Sequence, residues 1–293
     1  MNMQRVKTVV IFLLVIINIA LAALLVDNSS RYKLSERQKA AISTILSQNN
    51  VGLYTLVPTD FRPMRMLLLQ PYAFEEEALR GLFFGAEEPE RAEEQSERRV
   101  SLTQANAELY LEPSRLIYQN PDGYLPPGYA AMPATPGDIQ RMLDSLVEKL
   151  APKQLTLVLD KYMAYGEEQV YEYRASYRGH VLYTSYVKCK VTAAGVTELR
   201  SSLSIPDGYT GEERDIFSCD EALLSLLGEL KSIYGNMESE VTMLTGIDMV
   251  YYLEEAAQSG QSEMKAVPYY RIYTRTSPEL PFLINAYNNK VLR

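Results

Sequence analysis

The chain has no tryptophan, one histidine and two cysteines among its 293 residues. These shortages remove most familiar chemistries. With His180 as the sole imidazole, a multi-histidine metal site cannot be assembled. No CxxC, HExxH, Gly-x-Ser-x-Gly or phosphate-cradling glycine loop occurs either. Cys189 and Cys219 do not make a disulfide framework; one bridge can form outside the cell, but the reading favoured by the count is two separate, partly buried thiols. Positive charge is scarce as well, 29 Lys and Arg against 37 Asp and Glu. All the acidic residues follow Val26 while Arg5 and Lys7 precede Val9, so the bulk of the chain is more acidic than the net −8 of the whole. Such a surface is poorly suited to nucleic acid or to anionic lipid, and nucleic acid is set aside as a partner.

What chemistry remains is thin. His180 sits beside Gly179 in an expected hairpin turn, which reads as an exposed turn residue rather than a base, and Cys189 lies several residues up the returning strand. The acidic clusters Glu75-Glu76-Glu77, Glu167-Glu168, Glu212-Glu213 and Glu254-Glu255 stand beside turns or helix ends, where solvated charge explains them. A hydrolase built on paired carboxylates would need two of them to converge in a cleft. The expectation is a protein without catalysis, cofactor or metal.

The longest uncharged run, "VVIFLLVIINIALAALLV" from Val9 to Val26, is interrupted only by Asn18. Eighteen helical residues span about 27 Å, close to the roughly 30 Å of a bilayer core. With Arg5 and Lys7 before it, the expected orientation keeps the N-terminus in the cytoplasm and the rest extracytoplasmic. Ala20-Leu21-Ala22 offers a signal-peptide cleavage triplet, but the apolar run continues past it, which favours an uncleaved anchor. Asn18 can bond across to a second membrane helix or bond its own backbone, and both readings stand. Leu14, Asn18, Leu21 and Leu25 fall on one helical stripe and are the expected partner-contact residues.

Beyond the run, 22 tyrosines, many in alternating stretches, argue for strands with an amphipathic aromatic face. Ser35 with Gln38 forms a capping box for a helix over 35–48, and Phe74, Leu79, Leu82 and Phe83 mark a short helix stopped by Gly85. "AEEPERAEEQSERR", residues 86–99, reads as a solvated loop. "AELYLEPSRLIYQNPDG" reads as a hairpin ending in a turn at Asn120 to Gly123. Thr135, Pro136 and Asp138 open a helix that buries Ile139, Met142, Leu143, Leu146 and Leu150. In "YEYRASYRGHVLYTSYVKCKV", Tyr171, Tyr173, Ala175 and Tyr177 alternate with Glu172, Arg174, Ser176 and Arg178, Gly179 turns the chain, and Val181 to Val191 return. Ser218 and Glu221 open a further helix stopped by Gly235, and "VPYYRIYTR" and "LPFLINAYNNKVL" close the chain as strands turning at Asn288-Asn289.

The expected fold class is α+β: a single N-terminal transmembrane helix followed by antiparallel sheets with packed helices. The expected divisions are residues 1–8 as a cytoplasmic tail, 9–26 as the anchor, 27–50 as a juxtamembrane helix, 51–132 as an N-terminal α+β subdomain and 133–293 as a C-terminal one. The second boundary is placed in the proline- and glycine-rich stretch "YLPPGYAAMPATPG".

Three stretches, "KTVVIFLLVIINIALAALL", "YEYRASYRGHVLYTSYVKCKVTAAGVTEL" and "AVPYYRIYTRTSPELPFLINAYNNKVL", together resemble the YycI family of membrane-anchored regulators. The likeness covers the apolar start and most of residues 135–293 and departs from the family where Tyr270 stands for an expected Trp and Asn289 for a turn Gly. It implies an extracytoplasmic fold related to YycH, acting with a YycH-like partner on the sensor histidine kinase of a cell-wall two-component system, without catalysis. The alternative is a binding or inhibitory module of the PepSY kind, held near a protease or wall polymer.

Overall fold

In a computed structural model of the chain, residues 11–19, 21, 31–94, 99–235, 241–254 and 264–292 are described. The chain folds as two compact units, each assembled from separate stretches of sequence. The first comprises Met1–Met64, Glu213–Asp248 and Tyr270–Arg293, and the second comprises Arg65–Glu212 and Met249–Tyr269.

In the first unit, helix α1 (Glu36–Gln48) starts at Ser35 with the expected box. The Gln38 amide donates to Ser35 Oγ at 3.3 Å, and the Gln38 side-chain oxygen accepts from the Ser35 amide at 3.0 Å. The two bonds satisfy amide groups that the first helical turn leaves without intrahelical acceptors. A second helix, Cys219–Tyr234, begins at Ser218, whose backbone N–H and hydroxyl both donate to the Glu221 carboxylate, at 2.9 and 2.8 Å. It ends at Gly235 with φ +68°, a left-handed position that glycine adopts at little cost. Ile42 and Leu46 of the one and Leu223, Leu226 and Leu230 of the other are buried. The unit's strands are β1 (Val51–Leu53), which runs parallel to β12 (Thr242–Tyr252), and the C-terminal pair β14 (Phe282–Asn285) and β15 (Val291–Leu292). Asn289 turns that pair at φ +58°, so it performs the turn for which the family likeness implies glycine. Arg271 is 3% exposed and forks onto Asp248, with Nε to Oδ1 at 2.8 Å and the terminal nitrogen to Oδ2 at 2.5 Å.

The second unit is sheet-rich. Its strands are β2 (Met64–Pro71), β3 (Glu90–Glu94), β4 (Arg99–Gln104), β5 (Ala107–Glu112), β6 (Arg115–Tyr124), β7 (Thr156–Tyr165), β8 (Glu168–Tyr177), β9 (His180–Thr192), β10 (Gly195–Ser202) and β11 (Ser204–Arg214). Parts of β12 and β13 (Met264–Thr274) complete it. β3 to β6 form an antiparallel meander that continues through β10 to β9, and β9 also carries the β8–β7 hairpin. Arg178 and Gly179, at φ +49° and +86°, make the two-residue turn between β8 and β9, the twist that suits a hairpin of right-handed strands. The helix Pro136–Leu150 lies on this hairpin. Tyr173 donates to Asp144 at 2.8 Å, and all five apolar residues expected on the helix's inner face are buried. The short helix Glu76–Phe83 stacks Phe83 on Tyr118, ring centroids 4.2 Å apart.

Several expectations are corrected. The fold class included a transmembrane helix, but among the described residues no helix is long and apolar enough to cross a membrane. The helical residues described in the apolar run are 11–19 and 21. The terms single-pass and signal-anchor fall with the transmembrane helix; residues 1–10, 20 and 22–30 lie outside the described set. The acidic stretch 86–99 is not all loop, because Glu90–Glu94 pairs with β4 along its whole length while all five residues stay exposed. Charge on an edge strand is compatible with pairing when the side chains reach water on both faces.

The expected turn at Asn120–Gly123 is a second such correction: β6 runs on to Tyr124, and the hairpin reverses earlier, at Ser114 with φ +61°. Gly123 has a different task. It holds φ +80° where a Cβ would lie 2.2 Å from the Ala194 carbonyl oxygen, at the irregular register between β6 and β10. We expect Gly123→Ala to lower stability by more than about 2 kcal/mol, since it adds a backbone clash to a left-handed strain. Ser35→Ala removes only a cap and should cost about 1 kcal/mol. Urea titration of the two variants orders them, and equal losses would contradict the assignment of Gly123 to a close approach.

Candidate functional site

Strand β9 changes partners along its length. Val181 and Leu182 lie beside Val250 and Tyr251 of β12, whereas Tyr186 to Thr192 lie beside β10. Its pairing to β8 slips at the same place: Arg174 faces Tyr186, but the next residue, Ala175, faces Leu182. Tyr183, Thr184 and Ser185 are therefore displaced from the β8 ladder as a bulge, the device by which a strand bends and redirects side chains. A sheet that forks in this way leaves a gap between β12 on one side and β10 with β6 on the other. That gap is a cavity of about 770 Å³, walled by Arg115, Arg174, Tyr183, Tyr186, Arg200 and Tyr252 together with several serines, a size within the range of ligand sites.

Arg174 holds the fork. It is 7% exposed, and its guanidinium donates to the Tyr183 carbonyl, which the bulge has taken out of register, and to the Glu172 carboxylate. Its Nε lies 3.6 Å from Asp160, and the Tyr183 ring covers the guanidinium at 4.0 Å. A buried cation needs this much company, since desolvation costs several kcal/mol that only paired charge and hydrogen bonds offset. Ser185 makes a further tie, accepting from the Ser204 amide at 3.1 Å. Two buried polar atoms at this place, Arg174 Nε and Thr184 Oγ1, have no hydrogen-bond partner.

Alternation in "YEYRASY" puts Glu172 and Arg174 on an expected exposed face, and both are buried. Tyr171 and Tyr173 do line the other face, under the helix Pro136–Leu150. The signal available in sequence is Glu172-x-Arg174 two apart on one face with Asp160 on the preceding strand; the bulge that makes use of it has no comparable mark. His180 is half-buried rather than fully exposed. It begins β9 with its ring edge-on to Tyr251 at 5.7 Å, and burial moves its pKa downward. Nine residues of strand separate it from Cys189, about 30 Å of extended chain.

Among the other expected contact residues, Leu14 and Leu21 are each 52% exposed, Asn18 is exposed, and Leu25 lies outside the described residues. Asn18 Nδ2 donates to the Leu14 carbonyl at 2.8 Å, which is the own-backbone bond of the two readings. Among the described residues no group of three or more His, Cys, Asp or Glu could hold a metal ion.

No family model matches the chain, and no curated protein does. Solved structures do match. A crystal structure of an uncharacterized protein from Eubacterium rectale ATCC 33656 is similar at 11% identity with a TM-score of 0.54, over 83% of this chain and 89% of that one. The Bacillus megaterium YpeB C-terminal domain is similar at 12% identity with a TM-score of 0.41, over 74% of this chain and 93% of that one. The first likeness is one of fold alone. Membership of the YycI family receives no support from these comparisons.

Both cysteines are unpaired and buried, and burial pushes each thiol up to about 12. The folded chain thus keeps these protons to a higher pH than an unfolded chain with thiols near 9. Their contribution to stability is complete below pH 9 and is lost as the pH rises toward 12. We expect the urea midpoint to fall across that window. At pH 8 a thiol reagent should label neither cysteine until denaturant is added; rapid labelling of the native chain would contradict their burial.

Proposed function

We propose that the chain is a non-enzymatic regulator that works by protein–protein contact, with a sensor histidine kinase of a cell-wall two-component system and a YycH-like protein as its partners. The observation that carries the contact-based part is the site at the sheet fork. Its arginine is committed to Tyr183 and Glu172 and sealed by an aromatic ring, an arrangement that holds a shape rather than moves protons. The choice of kinase and YycH-like protein is supported by the three sequence stretches similar to the YycI family. A regulator of this kind shifts a kinase between signalling states only to the extent that it binds the two states unequally. Under this reading it acts outside the cytoplasm, and the exposed side chains of Leu14, Asn18 and Leu21 are available to a partner.

The second reading, a PepSY-like module that binds or inhibits near a protease or wall polymer, is favoured by one observation: a cavity within the ligand-site range lies inside the sheet-rich unit. Affinity purification of the tagged full chain from its own cells separates the two. Recovery of a sensor histidine kinase is the expected result, a peptidase or glycan supports the second reading, and neither would sink both. The triple variant Leu14→Ala, Asn18→Ala and Leu21→Ala should reduce kinase recovery at least severalfold; unchanged recovery removes those three residues from the contact.

A further inference from the structure

Thr184, in the wall of the cavity at the fork, has a hydroxyl that the chain leaves without a hydrogen-bond partner. Arg174 Nε and Thr184 Oγ1 are buried without hydrogen-bond partners, and an unmet buried polar group is costly enough that native folds rarely keep one without a reason. The charges, by contrast, are already balanced. Glu172 and Asp160 stand against Arg174, Glu198 binds Arg200, and Glu112 shares the wall with Arg115. A free anion would gain little from arginines whose charge is matched, and a cation would meet mostly donors. A neutral acceptor avoids both penalties.

We propose that this cavity binds an uncharged ligand carrying a secondary amide, the amide carbonyl accepting from Thr184 Oγ1. Tyr183, which covers Arg174, supplies an apolar face for the group beside the amide. Thr184 is only part-buried as a residue although its Oγ1 is sealed, so a turn about its χ1 brings the hydroxyl to the ligand. The inference is independent of the kinase: affinity purification can fail while the cavity binds, and the converse holds too.

The amide can come from a peptide or from an N-acetylated sugar, and two probes distinguish them. Saturation-transfer NMR on the full chain would use acetyl-trialanine amide and tri-N-acetylchitotriose, with succinate as the anionic control. Transfer to at least one amide probe is expected, and whichever responds names the source. Thr184→Val keeps the side chain's shape and removes the hydroxyl. Because that hydroxyl makes no bond within the chain, the variant should unfold at no lower temperature than the parent, and its Kd for the responding probe should rise about fivefold. Absence of transfer to both amide probes, equal transfer to succinate, or a Kd unchanged in Thr184→Val would each overturn the proposal.

Discussion

The buried arginine at position 174 is the constraint on which the arrangement of the sheet-rich unit depends. A strand that leaves one neighbour for another must open its ladder, and an opened ladder strands carbonyl groups away from water. Arg174 answers this by donating to the Tyr183 carbonyl, which the bulge of β9 has set free, and by holding Glu172 with a second nitrogen. The cation is buried so that the backbone can bend. Once it is there, Asp160 of β7 and the Tyr183 ring follow, because a buried guanidinium without carboxylates or a covering face would cost more than the bend saves. Arg174 thus ties hairpin β7–β8 to the bulge at which β9 switches from β12 to β10.

The tyrosines act by a related logic. Tyr124 donates to the Leu82 carbonyl at 2.7 Å, Tyr251 to Arg65 at 2.9 Å, Tyr270 to Phe217 at 2.9 Å and Tyr287 to Met64 at 2.9 Å. Each bond joins residues distant in sequence within one unit, and in each case the ring carries its hydroxyl to a backbone carbonyl; the rings of Tyr124, Tyr251 and Tyr270 are buried and that of Tyr287 is half-buried. Tryptophan offers a donor at the ring edge and phenylalanine none, so a core built this way draws on tyrosine. Tyr270, at the position where the sequence likeness implies tryptophan, is fully buried with its hydroxyl satisfied. The departure is a change in how one carbonyl is met.

Local chemistry was legible in the sequence wherever a short motif sets local geometry. Ser35 with Gln38, Thr135 before Pro136, Gly235 after the last helical turn and Gly179 in its hairpin all act where they stand, because caps and tight turns depend on residues within four positions. Burial of Glu172 and Arg174 was not legible. Alternation assigns a strand's faces as though one were wet, and it cannot register a bulge eleven residues downstream that turns the polar face into an interior. The edge strand Glu90–Glu94 failed for the opposite reason: its composition describes solvation correctly, yet backbone pairing to β4 is indifferent to what the side chains prefer. The apolar run at the N-terminus shows the limit of composition taken alone. Hydropathy counts eighteen residues, while among the described residues no helix is long and apolar enough to cross a membrane, and Asn18 donates to the Leu14 carbonyl of its own helix.

The candidate site combines these failures, and that is why it escaped a reading by motif. Its members come from β5, β6 and β8 to β13, strands separated by up to half the chain, and none carries a residue type that marks chemistry in isolation. What makes them a site is a mismatch that only three dimensions reveal: charge is balanced across the fork, but hydrogen bonding is not. A charge imbalance can be relieved by ions from solution, whereas a directional donor sealed in a sheet is relieved only by an acceptor of the right position.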